Sequence, residues 1–74
     1  MNNELHRYRE EAGLSQGDLA AGVGVSRQTI NAIERERYDP SLELAFKLAA
    51  FFECAIEDLF DPDVGDVGSP RGGS

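Results

Sequence analysis

One stretch of the sequence has the pattern of a short amphipathic helix: Val25-Ser26-Arg27-Gln28-Thr29-Ile30-Asn31-Ala32-Ile33-Glu34-Arg35. Ser26 is a candidate N-cap, because its hydroxyl can accept a hydrogen bond from an unpaired N–H group of the first turn. Val25 and Ile30 have the spacing of a hydrophobic staple. Ile30 and Ile33 share one face, which we expect to be buried. The stretch therefore predicts a helix that begins after Ser26 and packs through its isoleucines.

The other side of this helix carries side chains that can all donate hydrogen bonds, namely Arg27, Gln28, Asn31 and Arg35. In the DNA major groove, Arg can donate two hydrogen bonds to guanine O6 and N7, and Gln can pair with adenine N6 and N7. We therefore predict that this face binds DNA. An ordinary solvated helix face is the alternative, and these four residues by themselves do not exclude it.

A second capped helix precedes this one. Ser15 is its candidate N-cap, and Asp18 three residues later gives a variant of the capping box. Leu14 and Leu19 repeat the staple spacing. The inner side and the C-terminal end of this helix are marked by Leu19, Ala20, Val23, Gly22 and Gly24. Two stapled helices joined by a tight Gly-containing turn have the pattern of a helix-turn-helix.

A helix over residues 4–12 is predicted before these two. Leu5, Tyr8 and Ala12 recur at helical spacing and predict its inner face, and Gly13 is expected to end it in the left-handed conformation. No sustained alternation of apolar and polar residues and no Asn-Gly turn predicts a strand anywhere in the chain.

Two more helices are predicted after the polar loop that ends at Pro40. Ser41 is the expected cap of a fourth helix over residues 42–52. This helix is apolar nearly all round, so we expect it to be the buried centre of the domain. A short fifth helix should cover residues 56–60.

The composition changes after Phe60. Residues 61–74 are rich in Gly, Asp and Pro without apolar periodicity, so we predict one folded domain over residues 1–60 and a disordered acidic and Gly-rich tail. The 74-residue chain has a formal net charge of −7. Six acids and one base lie in residues 48–74, whereas residues 26–38 carry three arginines against two glutamates. The acidity weakens the DNA prediction, and solubility or a high-salt environment would explain it equally well.

Several classes of protein are not supported by the composition. The single Cys54 cannot form an internal disulfide and is expected to be a buried small hydrophobe, with a redox-sensitive thiol as the alternative. No apolar run approaches the roughly 20 residues that span a bilayer, and no signal-peptide pattern is present, so we expect a cytoplasmic protein. His6 has no second ligand at helical spacing, which disfavours a metal site. No nucleophile–base set or phosphate-binding Gly loop indicates an enzyme, and no cofactor or small-molecule ligand is expected.

Several segments together resemble the phage repressor/Cro-type helix-turn-helix regulators, also called the xenobiotic-response-element family. They are Gly13-Leu14-Ser15-Gln16, Leu19-Ala20, Val25-Ser26-Arg27-Gln28-Thr29-Ile30, Ile33-Glu34 and Tyr38-Asp39-Pro40-Ser41-Leu42. The likeness covers residues 3–60, and within the family it is to short, single-domain members. It implies an all-α, five-helix, lambda-repressor-like DNA-binding domain. It also implies that helix 3 lies in the major groove and that a two-fold dimer binds half-sites about one helical turn apart.

The resemblance also implies roles for individual residues. Base contacts fall on the outer face of helix 3, at Arg27, Gln28, Asn31 and Ala32. Phosphate contacts fall on six residues around that face: Gln16, Ser26, Thr29, Arg35, Arg37 and Tyr38. For Arg35 and Arg37, neutralisation by the adjacent Glu34 and Glu36 is an alternative. A structural salt bridge is implied between Arg9 and Glu34.

A homodimer is expected to form around helix 5, with Phe52, Ile56, Leu59 and Phe60 at the interface.

Three positions depart from the family pattern. Glu36 and Glu53 stand where a Gly commonly ends helix 3 and helix 4. Ala55 replaces the usual Ser or Thr cap of helix 5, a loss of ~1 kcal/mol of capping. We expect these changes to affect loop geometry and not the fold.

The sequence thus predicts a sequence-specific DNA-binding transcriptional regulator, most economically a repressor that occludes a promoter. The alternative comes from another class. It is a protein-interaction module, such as an antitoxin-like partner, whose helix 3 face or acidic C-terminal half would bind a protein.

Overall fold

The computed structural model describes residues 2–61 and has five helices in that range, as the resemblance implied. The helices are α1 (Leu5–Glu11), α2 (Gln16–Val23), α3 (Arg27–Glu34), α4 (Leu42–Phe51) and α5 (Ile56–Leu59). The ends differ from the predicted ones by about one residue, within the usual uncertainty of helix boundaries. The predicted tail, apart from Asp61, lies outside the described residues.

Three serine caps fix where α2, α3 and α4 begin, and all three were predicted. Each hydroxyl oxygen accepts a hydrogen bond from the backbone N–H three residues later, at 3.0 Å for Ser15 and 3.2 Å for Ser26 and Ser41. The backbone N–H of Ser15 also donates to the carboxylate of Asp18 at 3.2 Å, which completes the capping box. These bonds satisfy N–H groups that have no partner within the helix.

The core is formed by the apolar faces of all five helices. Six large side chains are fully buried: Leu5, Leu19, Ile30, Ile33, Leu48 and Leu59. The predicted inner faces of α2 and α3 are therefore confirmed. Ala12 is exposed, contrary to prediction; it is the C-terminal cap of α1, which ends at Glu11.

The prediction that α4 is buried all round is wrong. One side of α4 packs in the core through Leu44, Ala45, Leu48 and Ala49. Outside this buried face, Leu42, Phe46 and Phe51 are exposed by 68%, 55% and 40%. A domain this small has too few elements to cover both sides of a helix, so hydrophobicity alone could not predict burial.

A short strand pair, which the sequence did not predict, joins the two ends of the domain. β1 (Asn2–Asn3) and β2 (Phe60–Asp61) are antiparallel, with Asn3 opposite Phe60. Strands of two residues are too short to show any alternation. Phe60 therefore belongs to a strand and not to the end of the predicted fifth helix.

The predicted dimer surface around α5 is also wrong in part. Leu59 and Phe60 are 0% and 5% exposed within the single chain, so neither offers a surface to a partner. Phe52 and Ile56 are half-buried and pack against the same core. Cys54 is half-buried and not fully buried as expected, and burial together with the nearby Asp58 raises the pKa of its thiol.

Both glutamates that stand in place of helix-ending glycines keep the glycine conformation. Glu36 has φ 60° and Glu53 has φ 54°, the left-handed region that Gly13 and Gly24 occupy with φ 72° and 77°. After α3 the backbone N–H of Glu36 donates to Ile33 O at 2.9 Å. The expectation that these two glutamates change the loop geometry is therefore wrong at the backbone: both turns keep the glycine conformation, at the cost of a side chain where that conformation is disfavoured.

Candidate DNA-binding surface

The helix-turn-helix holds α3 with one face inside the protein and one face outside. Ile30 and Ile33 are both fully buried, and α2 packs directly against α3. Arg27 and Gln28, in the first turn of α3, are exposed on the opposite side, and Asn31 is half-buried. Ala32 is also half-buried. The sequence prediction that helix 3 has one apolar and one polar face is thus confirmed.

A shallow depression lies between the start of α2 and the outer side of α3. Its volume is about 310 Å³, and its wall is formed by Gln16, Arg27, Gln28 and Asn31. All four side chains can donate hydrogen bonds, and three of them end in amides that can also accept. The structure therefore brings together, from two helices, four of the residues that the resemblance singled out.

Arg9 and Glu34 form a largely buried ion pair behind this depression. Arg9 Nε donates to Glu34 Oε2 at 2.6 Å, and the two side chains are 12% and 5% exposed. Arg9 also donates to the carbonyl oxygen of Leu14 at 2.8 Å. Burial by itself raises the pKa of Glu34, but hydrogen bonds from Arg9 and Gln16 outweigh it and hold the pKa below its usual value. Glu34 is therefore an anion that joins α1, α2 and α3.

Gln16 connects this ion pair to the outer face of α3. Its Nε2 donates to Glu34 Oε1 at 3.0 Å, and its Oε1 accepts a longer hydrogen bond of 3.5 Å from Asn31 Nδ2. The Gln16 side chain is thus oriented by protein contacts before any ligand binds. The sequence placed Gln16 only as a phosphate contact and gave no signal for its bond to Glu34.

The residues predicted to contact phosphate lie around the rim of the same face. The hydroxyls of Ser26 and Thr29 are 3.0 Å apart at the start of α3. Arg35, Arg37 and Tyr38 are all exposed after the end of α3. The sequence left open that Glu34 neutralises Arg35. The Glu34 carboxylate is paired with Arg9 instead, so it is not the partner of Arg35.

The contacts of two further residues near the ion pair, Asn3 and His6, were missed by sequence reasoning. Asn3 Nδ2 donates to the carbonyl oxygen of Ile33 at 2.8 Å and so ties the N-terminus to the last turn of α3. His6 lies 3.1 Å from Glu10 and 3.4 Å from Glu34 at its two ring nitrogens. A lone Asn before the first helix and a His at helical spacing from one acid give no recognisable pattern.

Residues 2–61 show no group of three or more His, Cys, Asp and Glu side chains that could hold a metal ion. Within the same range no helix is long and apolar enough to cross a membrane.

The fold and this surface define a helix-turn-helix domain with an exposed donor-rich recognition helix. A family model for the helix-turn-helix matches residues 5–59. The chain is 60% identical over 60 residues to an uncharacterised HTH-type transcriptional regulator of Methanocaldococcus jannaschii, a match that covers 81% of this chain and 91% of that protein. The chain belongs to the Cro/C1-type helix-turn-helix family of DNA-binding transcriptional regulators, which are not enzymes.

Solved structures agree with this assignment. The restriction-modification controller protein C.AhdI of Aeromonas hydrophila is 33% identical, with a TM-score of 0.72 over 77% of this chain and 86% of that one. The biofilm regulator SinR in complex with DNA is 29% identical, with a TM-score of 0.67 over 73% of this chain and 87% of that one.

Proposed function

We propose that this regulator binds a palindromic operator as a homodimer and represses transcription by occluding a promoter. The observation that carries the proposal is the outer face of α3, where exposed Arg27 and Gln28 lie beside Gln16 of α2. A helix held in this way can enter the major groove with its N-terminal residues against base edges. Membership of a family of DNA-binding regulators supports duplex DNA as the ligand of this surface.

In this proposal sequence is read by Arg27, Gln28, Asn31 and Ala32. Arg27 and Gln28 are exposed and carry the bidentate chemistry suited to guanine and adenine. Half-buried Asn31 and Ala32 lie one turn further along the helix, where Ala32 can contact a thymine methyl group.

Phosphate contacts would position the domain without specifying sequence. The first turn of α2, with Gln16, and the hydroxyls of Ser26 and Thr29 are suited to one stretch of backbone. Arg35, Arg37 and Tyr38, exposed beyond the end of α3, are suited to another. These local donors must act against the −7 net charge of the chain. The fall of affinity with rising salt scales with the number of phosphates that Lys and Arg neutralise, so with Arg35 and Arg37 as the cations of this set it should correspond to about two phosphate contacts.

A second copy would have an apolar surface available on α4. Leu42 and Phe46 are exposed one turn apart on this helix. Glu43 and Lys47, which flank them, are 82% and 55% exposed and lie 3.9 Å apart. In an antiparallel α4 pair about a two-fold axis, Glu43 of each copy would approach Lys47 of the other. This self-complementary pattern supports α4, in place of the buried end of α5, as the dimer contact.

Fluorescence anisotropy on selected and scrambled duplexes at several salt concentrations tests the DNA-binding proposal. Arg27→Ala should cost ~1–3 kcal/mol of discrimination at one base pair. Arg35→Ala should weaken binding to both duplexes alike and reduce the salt dependence by about one phosphate contact. Equal losses for both variants on both duplexes would contradict these roles.

Sedimentation and transcription in vitro test the remaining parts. The wild-type protein should sediment as a dimer and Phe46→Glu as a monomer, with Glu57→Gln as a control on exposed α5. Transcription from a template that carries the selected site across its promoter should fall as protein is added. A stoichiometric protein partner together with no salt-sensitive DNA retention would instead favour the antitoxin-like alternative.

A further inference from the structure

Glu34, Gln16 and Asn31 form a chain of hydrogen bonds, and which group donates and which accepts in this chain follows from the charge of Glu34. Glu34 is 5% exposed and ion-paired with Arg9, so it is a carboxylate and can only accept hydrogen bonds. Gln16 must therefore turn its NH₂ group toward Glu34, and its Nε2 atom does lie 3.0 Å from Glu34 Oε1. The charge of Glu34 thus determines which way the Gln16 amide points.

The same logic extends to Asn31. With its NH₂ turned to Glu34, Gln16 presents its carbonyl oxygen to α3, and only a donor can approach that oxygen favourably. Asn31 Nδ2 occupies this position at 3.5 Å. The Oδ1 atom of Asn31 is then left on the other corner of the amide, with one N–H of Nδ2 still available. Turning the Asn31 amide over would place two carbonyl oxygens against each other.

We propose that Glu34, acting through Gln16, holds the Asn31 amide in the orientation that selects adenine over guanine. An amide that offers one acceptor and one donor matches adenine, which presents the N6 amino group and N7 in the major groove. Guanine presents two acceptors, O6 and N7, and would meet Asn31 Oδ1 unfavourably. Asn31 is the specificity-determining residue here, and Gln16 and Glu34 are positioning residues. The inference rests on the proposed function, because it requires α3 in the major groove.

The test uses duplexes selected from a random pool by the full-length chain, followed by single A·T to G·C exchanges at each selected position. The Asn31 position is the one whose preference disappears in Asn31→Ala. At this position the wild-type protein should prefer adenine. In Gln16→Met, which leaves Arg9 and Glu34 intact, the preference should fall about three- to tenfold, the factor that one hydrogen bond supplies. Preference at the Arg27 position should not change, although overall affinity falls.

Glu34→Gln provides a second variant, with Glu57→Gln as the matched exchange on exposed α5. A neutral amide at position 34 can donate as well as accept, so adenine preference should relax in Glu34→Gln and persist in Glu57→Gln. If Glu34→Gln unfolds, Gln16→Met alone decides the outcome. An enriched sequence whose adenine preference is unchanged in Gln16→Met would overturn this orientation mechanism alone. A pool that enriches no sequence would overturn it together with the proposed function.

Discussion

The first three helices and the last two are stabilised in different ways. The helices α1, α2 and α3 meet around the largely buried Arg9–Glu34 pair, and α2 begins with a complete capping box at Ser15 and Asp18. The last two helices lack both features. The Lys47–Glu43 pair on α4 is exposed and 3.9 Å long. α5 begins at Ala55, where the Asp58 carboxylate accepts from the backbone but no hydroxyl returns the bond.

This difference between the two halves indicates where a substitution should destabilise the domain and where it should not. The candidate DNA-binding surface lies on α2, α3 and the loop after α3. Of its side chains, Gln16 is hydrogen-bonded to the buried ion pair and Asn31 to Gln16. The α4–α5 half carries the exposed apolar side chains Leu42, Phe46 and Phe51 and the strained Glu53. Loss of a contact should therefore be costly in the first half. Simple substitutions should stabilise the second half at the incomplete cap of α5, and either half at its left-handed glutamate, Glu36 or Glu53.

The largest effect is expected from breaking the buried pair. Arg9→Met leaves the Glu34 carboxylate buried without its cation and should lower the free energy of unfolding by about 3 kcal/mol. Lys47→Met, which removes the cation of the exposed pair on α4, should change it by less than about 0.5 kcal/mol. Urea unfolding followed by circular dichroism measures both. Similar losses in the two variants would remove the contrast between the halves.

The Arg9–Glu34 pair should also make the free energy of unfolding depend on pH. The pKa of Glu34 in the folded state lies below its unfolded value. Its ionised form therefore stabilises the fold above the unfolded pKa, which is about 4.3 for Glu, and this contribution is lost as pH falls through the lower folded pKa. Urea unfolding between pH 7 and pH 2 should show the difference between wild-type protein and Arg9→Met narrowing toward low pH. A constant difference would assign the loss to packing of the Arg9 stem.

A smaller gain is expected from completing the capping box of α5. Ala55→Ser supplies a hydroxyl that can accept from the backbone N–H of Asp58 and should raise the free energy of unfolding by about 0.5–1 kcal/mol. Ser15→Ala removes the corresponding hydroxyl from α2 and should lower the free energy of unfolding by a similar amount. Thermal unfolding of the two variants tests whether the capping boxes of α2 and α5 contribute equally to stability. A loss of stability in Ala55→Ser would contradict the proposed role of the missing hydroxyl.

A gain of similar size, left after two opposing contributions, is expected at the left-handed glutamates. Glu36→Gly removes about 1–2 kcal/mol of strain at φ 60°, but glycine also makes the unfolded chain more flexible at a cost of about 0.4–1 kcal/mol. The net gain should be about 0.5–1 kcal/mol in thermal unfolding. Glu36→Ala, which keeps a Cβ, is the control and should show no such gain.

Much of the fold could be predicted because its signals are local. The caps at Ser15, Ser26 and Ser41 and the burial of Ile30 and Ile33 follow from side chains within one or two turns of each other. The same locality explains the failures. Whether Phe46 or Leu59 is buried depends on which helices are near, and the pairing of Asn3 with Phe60 joins residues far apart in the chain.

The sequence by itself determined the helix-turn-helix and the donor-rich face of α3, because periodicity and capping are properties of neighbouring residues. Tertiary structure decided how that face is held. Gln16 and Asn31 come from different helices, and the carboxylate that orients them is countered by an arginine from a third. The direction of a hydrogen bond between two amides depends on the group behind them, and only the folded chain places Glu34 there.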